Sequence, residues 1–226
     1  MTAVESLKVV LIGESGVGKT SIISRYINDT FDPECVTSLG ASFISKNLIL
    51  PEAQGTLRFD IWDTAGQEKY RSLAKVFYKD AMIIIFVYDI TKQSSFNEIK
   101  DFWYKQIKEN TITNPIFAIA ANKSDLYEKE QVNEKEARKF ADDIGAIFKT
   151  TSALSNSGID TLFTFIGKKY LNKNFNYKDS TGAGASSNQD EQEDNNSPSN
   201  DNQGRKPARG TKLENKKDEE KKKGCC

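Results

Sequence analysis

The pattern G-x-x-x-x-G-K-[ST], at Gly13–Thr20, restricts the possible folds more than any other stretch of this chain. An apolar stretch, Leu7–Ile12, precedes it, and a helix-like stretch, Ser21–Ile27, follows it. A strand therefore leads into a glycine-rich turn, and the turn opens a helix whose amino end favours an anion. Lys19 adds a positive charge for phosphates, and the Thr20 hydroxyl is a Mg²⁺ ligand. This context favours a phosphate site over a turn that only connects two elements.

Composition excludes several kinds of protein. The chain has no histidine, which rules out mechanisms that need imidazole as a base or a ligand. Its three cysteines form neither a disulfide framework nor a metal cluster, a usage typical of a reducing cytoplasm. The longest apolar run, Ala81–Tyr88, has eight residues, whereas a membrane span needs about 20. The N-terminus has no basic region and no apolar core, so it is not a secretory signal.

Charge is distributed in three blocks, although the whole chain is neutral. Residues 1–178 have a net charge of +1, residues 179–204 of −6 and residues 205–226 of +5. The first block gives no indication of a nucleic-acid surface, and nucleic acid is not an expected partner. The last block favours an anionic partner.

The composition changes sharply near Asn172. Almost no large apolar residue follows Tyr177, and such a segment cannot bury enough surface to offset its chain entropy. We therefore expect an N-terminal extension over 1–6, a globular domain over 7–172 and a disordered tail over 173–226.

Strand-like and helix-like segments alternate within the domain. Strands are predicted at Leu7–Ile12, Ala41–Leu50, Thr56–Trp62, Met82–Tyr88, Ile116–Ala121 and Ile147–Lys149. Further helices are predicted at Lys69–Lys79, Ser95–Glu109, Asn133–Ile144 and Gly158–Leu171. This order predicts a three-layer α/β domain with a mostly parallel, six-stranded sheet flanked by helices. Loops at the carboxyl ends of the strands are expected to build the ligand site.

A polar motif follows the strand that ends at Trp62. An aspartate at this strand end, Asp63, can hold Mg²⁺ through its water shell. Gly66 is small enough to bring its N–H against a γ-phosphate, and Gln67 is placed to orient a water for in-line attack. Beside a phosphate loop, these residues favour a catalytic segment over a polar turn.

A second motif, Asn122–Asp125, follows the strand Ile116–Ala121. The Asp125 carboxylate can accept from two N–H donors on one edge of guanine, and adenine lacks that donor pair. Asn122 can tie this loop to the phosphate loop, and the stem of Lys123 can cover one face of the base. Thr151–Leu154, after the last strand, can offer a backbone N–H to the base oxygen.

These motifs resemble those of the Rab family of Ras-like small GTPases. The match extends over residues 7–172 and rests on the stretches GESGVGKT, WDTAGQE, NKSD and TTSAL. The Rab branch is indicated by LGASF at 39–43, LRFDIW at 57–62, KYRSL at 69–73 and VYDIT at 87–91. The Gly-Ala-Ser-Phe piece is similar to the endosomal Rab subgroup.

The resemblance implies a site for GTP and GDP with bound Mg²⁺. Its phosphate part comprises Ser15, Gly16, Val17, Gly18, Lys19, Thr20, Ser21 and Gly66. Its remaining part comprises Phe31, Ser38, Asn122, Lys123, Asp125, Ser152, Ala153 and Leu154. The implied metal ligands are Thr20, Ser38 and Asp63, and the catalytic residue is Gln67.

Two positions depart from the family pattern. Ser38 stands where the family has a threonine that binds Mg²⁺ and senses the γ-phosphate. Because serine lacks the methyl group that restricts χ1, we expect a looser GTP-bound switch. Thr37 is the alternative Mg²⁺ ligand. Leu154 stands where a lysine is usual, and we expect little loss of affinity because backbone makes the main contact there.

The family also implies a docking surface for effectors. Its predicted residues are Leu39, Gly40, Phe43, Trp62 and Tyr78. For the three aromatic residues, an ordinary role in the core stays open beside the docking role.

The chain ends in Cys225-Cys226, after three lysines. This ending resembles the terminal Cys-Cys that Rab proteins use for double geranylgeranylation through an escort protein. Two prenyl chains give stable anchoring, and the basic block adds attraction to anionic lipids. The resemblance implies a location on the cytoplasmic face of intracellular membranes, in particular endosomes, with a cytosolic pool. A solvated lysine-rich tail with two chance cysteines is the alternative.

The implied function is a membrane-traffic switch. GTP orders two loops, Phe31–Phe43 and Ala65–Leu73, and hydrolysis to GDP and phosphate releases them. No internal arginine finger can be assigned, so the intrinsic rate should be slow and an activating protein should raise it. An exchange factor, an activating protein, an escort protein or GDP-dissociation inhibitor, and effectors are the implied partners.

Two other classes compete with this interpretation. A metabolic P-loop enzyme, such as a nucleotide kinase, would leave Asp63–Glu68 and Asp125 unexplained, and the chain lacks a lid-like basic segment. A GTP-binding interaction module with negligible turnover would leave Gln67 without a role.

Overall fold

The structure is a computed structural model that describes residues 4–34, 42–50, 55–64, 71–111 and 113–178. Six strands form one sheet: β1 Glu5–Ile12, β2 Ser42–Leu50, β3 Gly55–Asp63, β4 Ile83–Asp89, β5 Ile116–Asn122 and β6 Ile147–Thr150. Their order is β2-β3-β1-β4-β5-β6. The β2–β3 pair is antiparallel, and the four other pairs are parallel. The predicted six-stranded, mostly parallel sheet is confirmed.

The apolar runs of the sequence form the central strands because those strands are covered on both faces. Every residue of β4 is buried, whereas β2 at the sheet edge alternates between exposed and partly buried residues. Side chains of successive strand residues point to opposite faces. Leu7, Val9 and Leu11 accordingly belong to one apolar cluster, while Val10 and Ile12 belong to the other.

Within the described residues, six α-helices flank the sheet: α1 Lys19–Asn28, α2 Arg71–Tyr78, α3 Gln93–Glu98, α4 Tyr104–Asn110, α5 Glu134–Asp143 and α6 Ile159–Leu171. A 3₁₀ turn at Ser124–Lys129 follows β5. The first cluster contains the apolar residues of α1 and α6, and the second contains those of α3 to α5. Helices on both faces of the sheet complete the predicted three-layer α/β fold.

The helix predicted over Ser95–Glu109 contains a π-helical turn, Ile99–Trp103, between α3 and α4. The indole N–H of Trp103 donates to Oε1 of Glu98, five residues earlier, at 3.1 Å. The backbone bond of the π turn runs from the N–H of Tyr104 to the carbonyl oxygen of Ile99, also five residues apart and one residue further than in an α-helix. Hydrophobic periodicity does not reveal a single turn of this kind, because the apolar positions shift by only one residue.

Packing continues slightly past the predicted domain end at residue 172. The ring of Phe165 on α6 lies 5.8 Å from that of Phe175 and 6.1 Å from that of Tyr177. The bounds 1–6, 7–172 and 173–226 stay predictions, and the tail from residue 179 lies outside the described residues. Among the helices that the structure describes, none has the length and apolar character needed to cross a membrane.

Candidate nucleotide site

A cleft of about 410 Å³ opens where the strands β1, β5 and β6 end. Most predicted site residues within the described part of the chain line it: Ser15, Gly16, Gly18, Lys19, Thr20, Ser21, Phe31, Asn122, Lys123, Asp125, Ala153 and Leu154. Asp32, Pro33, Thr64 and Leu126 also line it, although none of them was among the predicted site residues. The cleft therefore joins the two loops that were predicted to bind phosphates and base.

The loop between β1 and α1 depends on glycine for steric reasons. Gly16 and Gly18 have left-handed backbone conformations, with φ of 76° and 97°. A Cβ atom on Gly18 would lie 2.3 Å from the side-chain nitrogen of Asn122, and one on Gly13 would lie 2.1 Å from the carbonyl oxygen of Val87. The loop thus approaches β4 and the end of β5 more closely than any other residue type would allow.

Lys19 is the cation of the site. Its side chain is buried, and its Nζ donates to the carbonyl oxygens of Gly13 at 2.8 Å and Glu14 at 2.9 Å. Burial lowers the pKa of Lys19 to about 8, although Asp63, Glu98 and Glu14 favour its charged form. These two bonds hold the ammonium group inside the loop that it is expected to serve, so little reordering precedes phosphate binding.

A hydroxyl and a carboxylate meet beside Lys19. The Thr20 hydroxyl donates to Oδ2 of Asp63 at 2.6 Å. Asp63 is the last residue of β3 and is buried, while the hydroxyl of its neighbour Thr64 donates to the carbonyl oxygen of Leu11 at 2.7 Å. Hydroxyl and carboxylate oxygens are the ligands that Mg²⁺ prefers. The two side chains therefore fit the predicted metal site.

Asn122 links the two halves of the cleft. Its side-chain amide donates to the carbonyl oxygen of Val17 at 2.7 Å, and its Oδ1 accepts from the hydroxyl of Thr151 at 3.1 Å. All three residues are buried. Val17, which the sequence placed among the phosphate ligands, thus holds Asn122 through its backbone oxygen.

The predicted base-binding carboxylate is held from one side by Ser152. The Ser152 hydroxyl donates to Oδ1 of Asp125 at 2.5 Å and accepts from the N–H of Ser155 at 3.1 Å. Ser152 is fully buried and orients Asp125, which lines the cleft. A carboxylate fixed in this way is ready to accept two parallel N–H bonds from a base.

Lys123 is positioned by an aspartate that was not among the predicted site residues. Its backbone is left-handed, with φ of 64°, and its Nζ lies 2.7 Å from Oδ2 of Asp89. Burial by itself raises the pKa of Asp89, but hydrogen bonds from Lys123 and Thr91 outweigh it and bring that pKa below its usual value. Asp89 ends β4, and its position as a polar residue after a buried strand was the available signal.

Comparison with known proteins establishes the family. Residues 8–172 match the family model described as Ras family. The chain is 43% identical over 168 residues to Ras-related protein Rab-22A from Homo sapiens, covering 74% of this chain and 84% of that protein. It is also 43% identical over 169 residues to Ras-related protein Rab-31 from Mus musculus, covering 75% and 85%. The chain belongs to the Rab small GTPases of the Ras family.

This Rab GTPase hydrolyses GTP and regulates vesicle trafficking, as the family does. The predictions of family, fold and enzymatic class are confirmed. A metabolic P-loop enzyme and an interaction module without turnover are not favoured.

The aromatic residues predicted to dock effectors of this Rab GTPase occupy different environments. Phe43 is 52% exposed, and its ring lies 5.2 Å from that of the partly buried Trp62. Trp62 in turn lies 6.1 Å from Phe77. Tyr78 is only 4% exposed and packs in the second apolar cluster. Phe43 and, in part, Trp62 are thus accessible at the surface. Tyr78 instead lies in the apolar core, which is the alternative that the sequence left open for these aromatic residues.

Several predicted residues of the Rab GTPase lie outside the described residues. They are Thr37, Ser38, Leu39, Gly40, Gly66, Gln67, Cys225 and Cys226. Their roles stay predictions.

Phe31 and Leu154 lie in the cleft wall. Phe31 is partly buried and also packs against the first apolar cluster. Leu154, which replaces the usual lysine, has a side chain that is 56% exposed. The backbone of its loop is held by Arg25, a residue of α1 that the sequence did not single out.

Proposed function

We propose that this Rab GTPase binds GTP and GDP in the cleft, with the phosphates on Gly13–Ser21 and guanine between Asn122–Asp125 and Thr151–Leu154. The bond from Asn122 to the carbonyl oxygen of Val17, at 2.7 Å, is the observation that supports this arrangement most directly. It joins the phosphate loop to the base loop across one cleft, so a single nucleotide can contact both.

Base selection is assigned to Asp125, because its carboxylate lines the cleft and is oriented by Ser152. The variant Asp125→Ala should lose the preference for GTP over ATP, since guanine would leave its two N–H donors unpaired. Competition of GTP and ATP for the full chain measures this preference. Asp143→Ala is the matched control, because Asp143 is an exposed carboxylate that accepts from Lys139 on α5. A preference that survives in Asp125→Ala would refute the assignment.

The oxygens of Thr20 and Asp63 would hold Mg²⁺, together with Ser38. When bound, Mg²⁺ offsets negative charge on the β- and γ-phosphates. Lys19 offsets further charge from within the phosphate loop, and its bonds to Gly13 and Glu14 keep it oriented. The protein side of the site thus presents charge and hydroxyl groups without imidazole, as the lack of histidine requires.

Gln67 is proposed to orient the attacking water, on the basis of its place in the WDTAGQE stretch. Gln67→Leu should lower the single-turnover rate of GTP hydrolysis, while GTP affinity stays nearly unchanged. Gln93→Leu is the control, because Gln93 is a glutamine on α3 that pairs only with Asn97 among the bonds that the described residues show. An unchanged rate in Gln67→Leu would remove this role.

The proposed site of action is the cytoplasmic face of endosomal membranes, with a cytosolic pool. It is supported by the resemblance of residues 40–43 to endosomal Rab proteins and by the terminal Cys225-Cys226. Intact mass of the protein from its own cells should show two prenyl groups, and an unmodified C-terminus would contradict the anchor. A copy tagged at the N-terminus should lose its membrane location in Cys225→Ser/Cys226→Ser.

The proposed partners are those of a regulated switch. An exchange factor, an activating protein, an escort protein or GDP-dissociation inhibitor, and effectors would act on it in turn. The exposed Phe43 on β2 and its contact with Trp62 on β3 support an effector surface at this edge of the sheet. Phe43→Ala should weaken effector binding with GTP affinity unchanged, whereas Ile49→Ala, an exposed apolar residue on the same strand, is the control.

A further inference from the structure

The last turn of α1 holds the backbone of the loop that contains Ala153 and Leu154. Only 15% of the Arg25 side chain is exposed. Its Nε donates to the carbonyl oxygen of Ala153 at 2.9 Å, and its Nη2 donates to that of Leu154 at 3.3 Å. Ala153 and Leu154 line the cleft, whereas Arg25 does not. One side chain of α1, outside the cleft, therefore fixes two consecutive carbonyl groups of the loop that contains Ala153 and Leu154.

Asp29 extends this contact to the far end of the loop. Nη1 of Arg25 donates to the main-chain oxygen of Asp29 at 2.8 Å and to its Oδ1 at 3.2 Å. The same Oδ1 accepts from the amide of Asn156 at 2.8 Å. Asp29 and Asn156 both have positive φ, 55° and 54°, which these residue types adopt more readily than most. Arg25, Asp29 and Asn156 are called the loop clamp below.

The clamp sets the direction of one backbone N–H. In a planar trans peptide, the C=O and the N–H point in opposite directions. Because the Ala153 carbonyl points toward Arg25, which does not line the cleft, the N–H of Leu154 in the same peptide points away from Arg25. Hydrogen bonds from a charged guanidinium are roughly twice as strong as neutral ones, so this orientation is well enforced.

We propose that Arg25 is a positioning residue for guanine, which orients the Leu154 N–H toward the base oxygen. The inference rests on the proposed base site and adds the element that holds it. Arg25 lies on the helix whose first turn carries Lys19 and Thr20, so the same helix connects the phosphate contacts to the base contact. The exposed leucine side chain at position 154 is then tolerated, because the loop is held through its backbone.

Release of a fluorescent GDP from the full chain tests this role. Arg25→Ala should release it about tenfold faster, since a charge-assisted bond is lost and a donor site on the loop becomes mobile. Arg25→Lys, which keeps the charge, should recover part of the effect. Arg138→Ala is the matched control and should release GDP at the wild-type rate. Arg138 makes an equivalent contact to the carboxylate four residues before it on α5, with Nε 2.6 Å from Glu134.

A second ligand separates positioning from a general loss of structure. The diphosphate of 2-aminopurine riboside lacks the base oxygen that the Leu154 N–H would bind. Arg25→Ala should weaken GDP binding about tenfold but weaken binding of this analogue less than about threefold. Equal weakening of both ligands, or an unchanged release rate for GDP, overturns the inference about Arg25 alone. A wild-type chain that binds both ligands equally would instead overturn the proposed base site, and the inference with it.

Discussion

The phosphate half of the cleft and its base half are built in different ways. The phosphate half is one continuous stretch, in which glycines allow close approach and Lys19 bonds to the carbonyls of its own loop. The base half is assembled from separate segments, in which side-chain bonds join Asn122 to Thr151 and Asp125 to Ser152, across the loops that follow β5 and β6. The bonds of Lys19 in the phosphate half are short-range in sequence. The bonds of the base half form only after the sheet has brought its segments together.

This difference predicts different sensitivities. A change in the phosphate half should act through steric fit and charge, and it should weaken binding strongly. A change in the base half should act through single hydrogen bonds, each worth about 1–3 kcal/mol when a buried partner is left unpaired. Four experiments test the contrast, in order of decreasing effect.

Gly18→Ala should have the largest effect, because it damages both halves together. The added Cβ would lie 2.3 Å from the side-chain nitrogen of Asn122, and the φ of 97° is strained for alanine. We expect GDP affinity to fall at least about 100-fold, which corresponds to about 2.8 kcal/mol. Titration with a fluorescent GDP measures it. Gly145→Ala is the control, with a similar φ of 68° but nothing within 4 Å of the new Cβ. Equal affinities in the two variants would contradict the steric argument.

Raising the pH should weaken nucleotide binding through Lys19, whose pKa burial lowers to about 8. A polyphosphate favours the charged ammonium, so affinity should fall by up to about tenfold per pH unit above pH 8. Without nucleotide, the contribution of Lys19 to the free energy of unfolding should instead increase as the pH rises. Between pH 8 and the ordinary value of 10.5 the unfolded chain binds more protons, so this group's contribution to stability rises with pH.

The affinity of GDP from pH 7 to pH 10 provides the measurement. Lys19→Ala should bind weakly and lose this dependence. A pH profile of the same shape in wild type and Lys19→Ala would assign the effect to another group.

Asn122→Ala should have an intermediate effect. Two bonds would be lost, and the buried Val17 oxygen and Thr151 hydroxyl would both lack their partner. Release of GDP should become about tenfold faster. Asn110→Ala is the control, because Asn110 also donates to a backbone oxygen, that of Gln106, at 2.7 Å, but outside the cleft. If both variants released GDP equally fast, the link between the halves would have no role in binding.

Asp89→Asn should have the smallest effect, a few-fold increase in GDP release. The amide oxygen can still accept a bond from Lys123, but the ion pair at 2.7 Å is lost. The pKa of Asp89 is lowered, so the stability that its charge contributes is present at neutral pH and is lost as the pH falls through that lowered value. Asp60→Asn, at the more exposed pair with Arg58, is the control. Loss of binding as large as in Gly18→Ala would refute the contrast between the halves.

Much of this protein could be predicted from local patterns. The strand before Gly13 and the helix after Thr20 set the phosphate loop, because one short segment contains the whole cradle. Apolar runs such as that of β4 were correctly assigned to a parallel sheet, since strands covered on both faces leave no alternation in the sequence. The strand-end motifs at Asp63 and Asn122 could be predicted to lie at the same site, because parallel strands bring their carboxyl ends to one edge of the sheet.

Long-range contacts were not accessible in this way. Arg25 lies 128 residues from Ala153, and Asp89 lies far from Lys123 in sequence, so no local pattern connects them. The burial of Tyr78 and the exposure of Phe43 likewise depend on which elements of the folded chain cover each ring. The linear chain specifies which chemical groups are available and near which strand end they lie. Their pairing depends on the packing of α1 and the sheet, because hydrogen bonds form only between groups that the folded chain brings within about 3 Å.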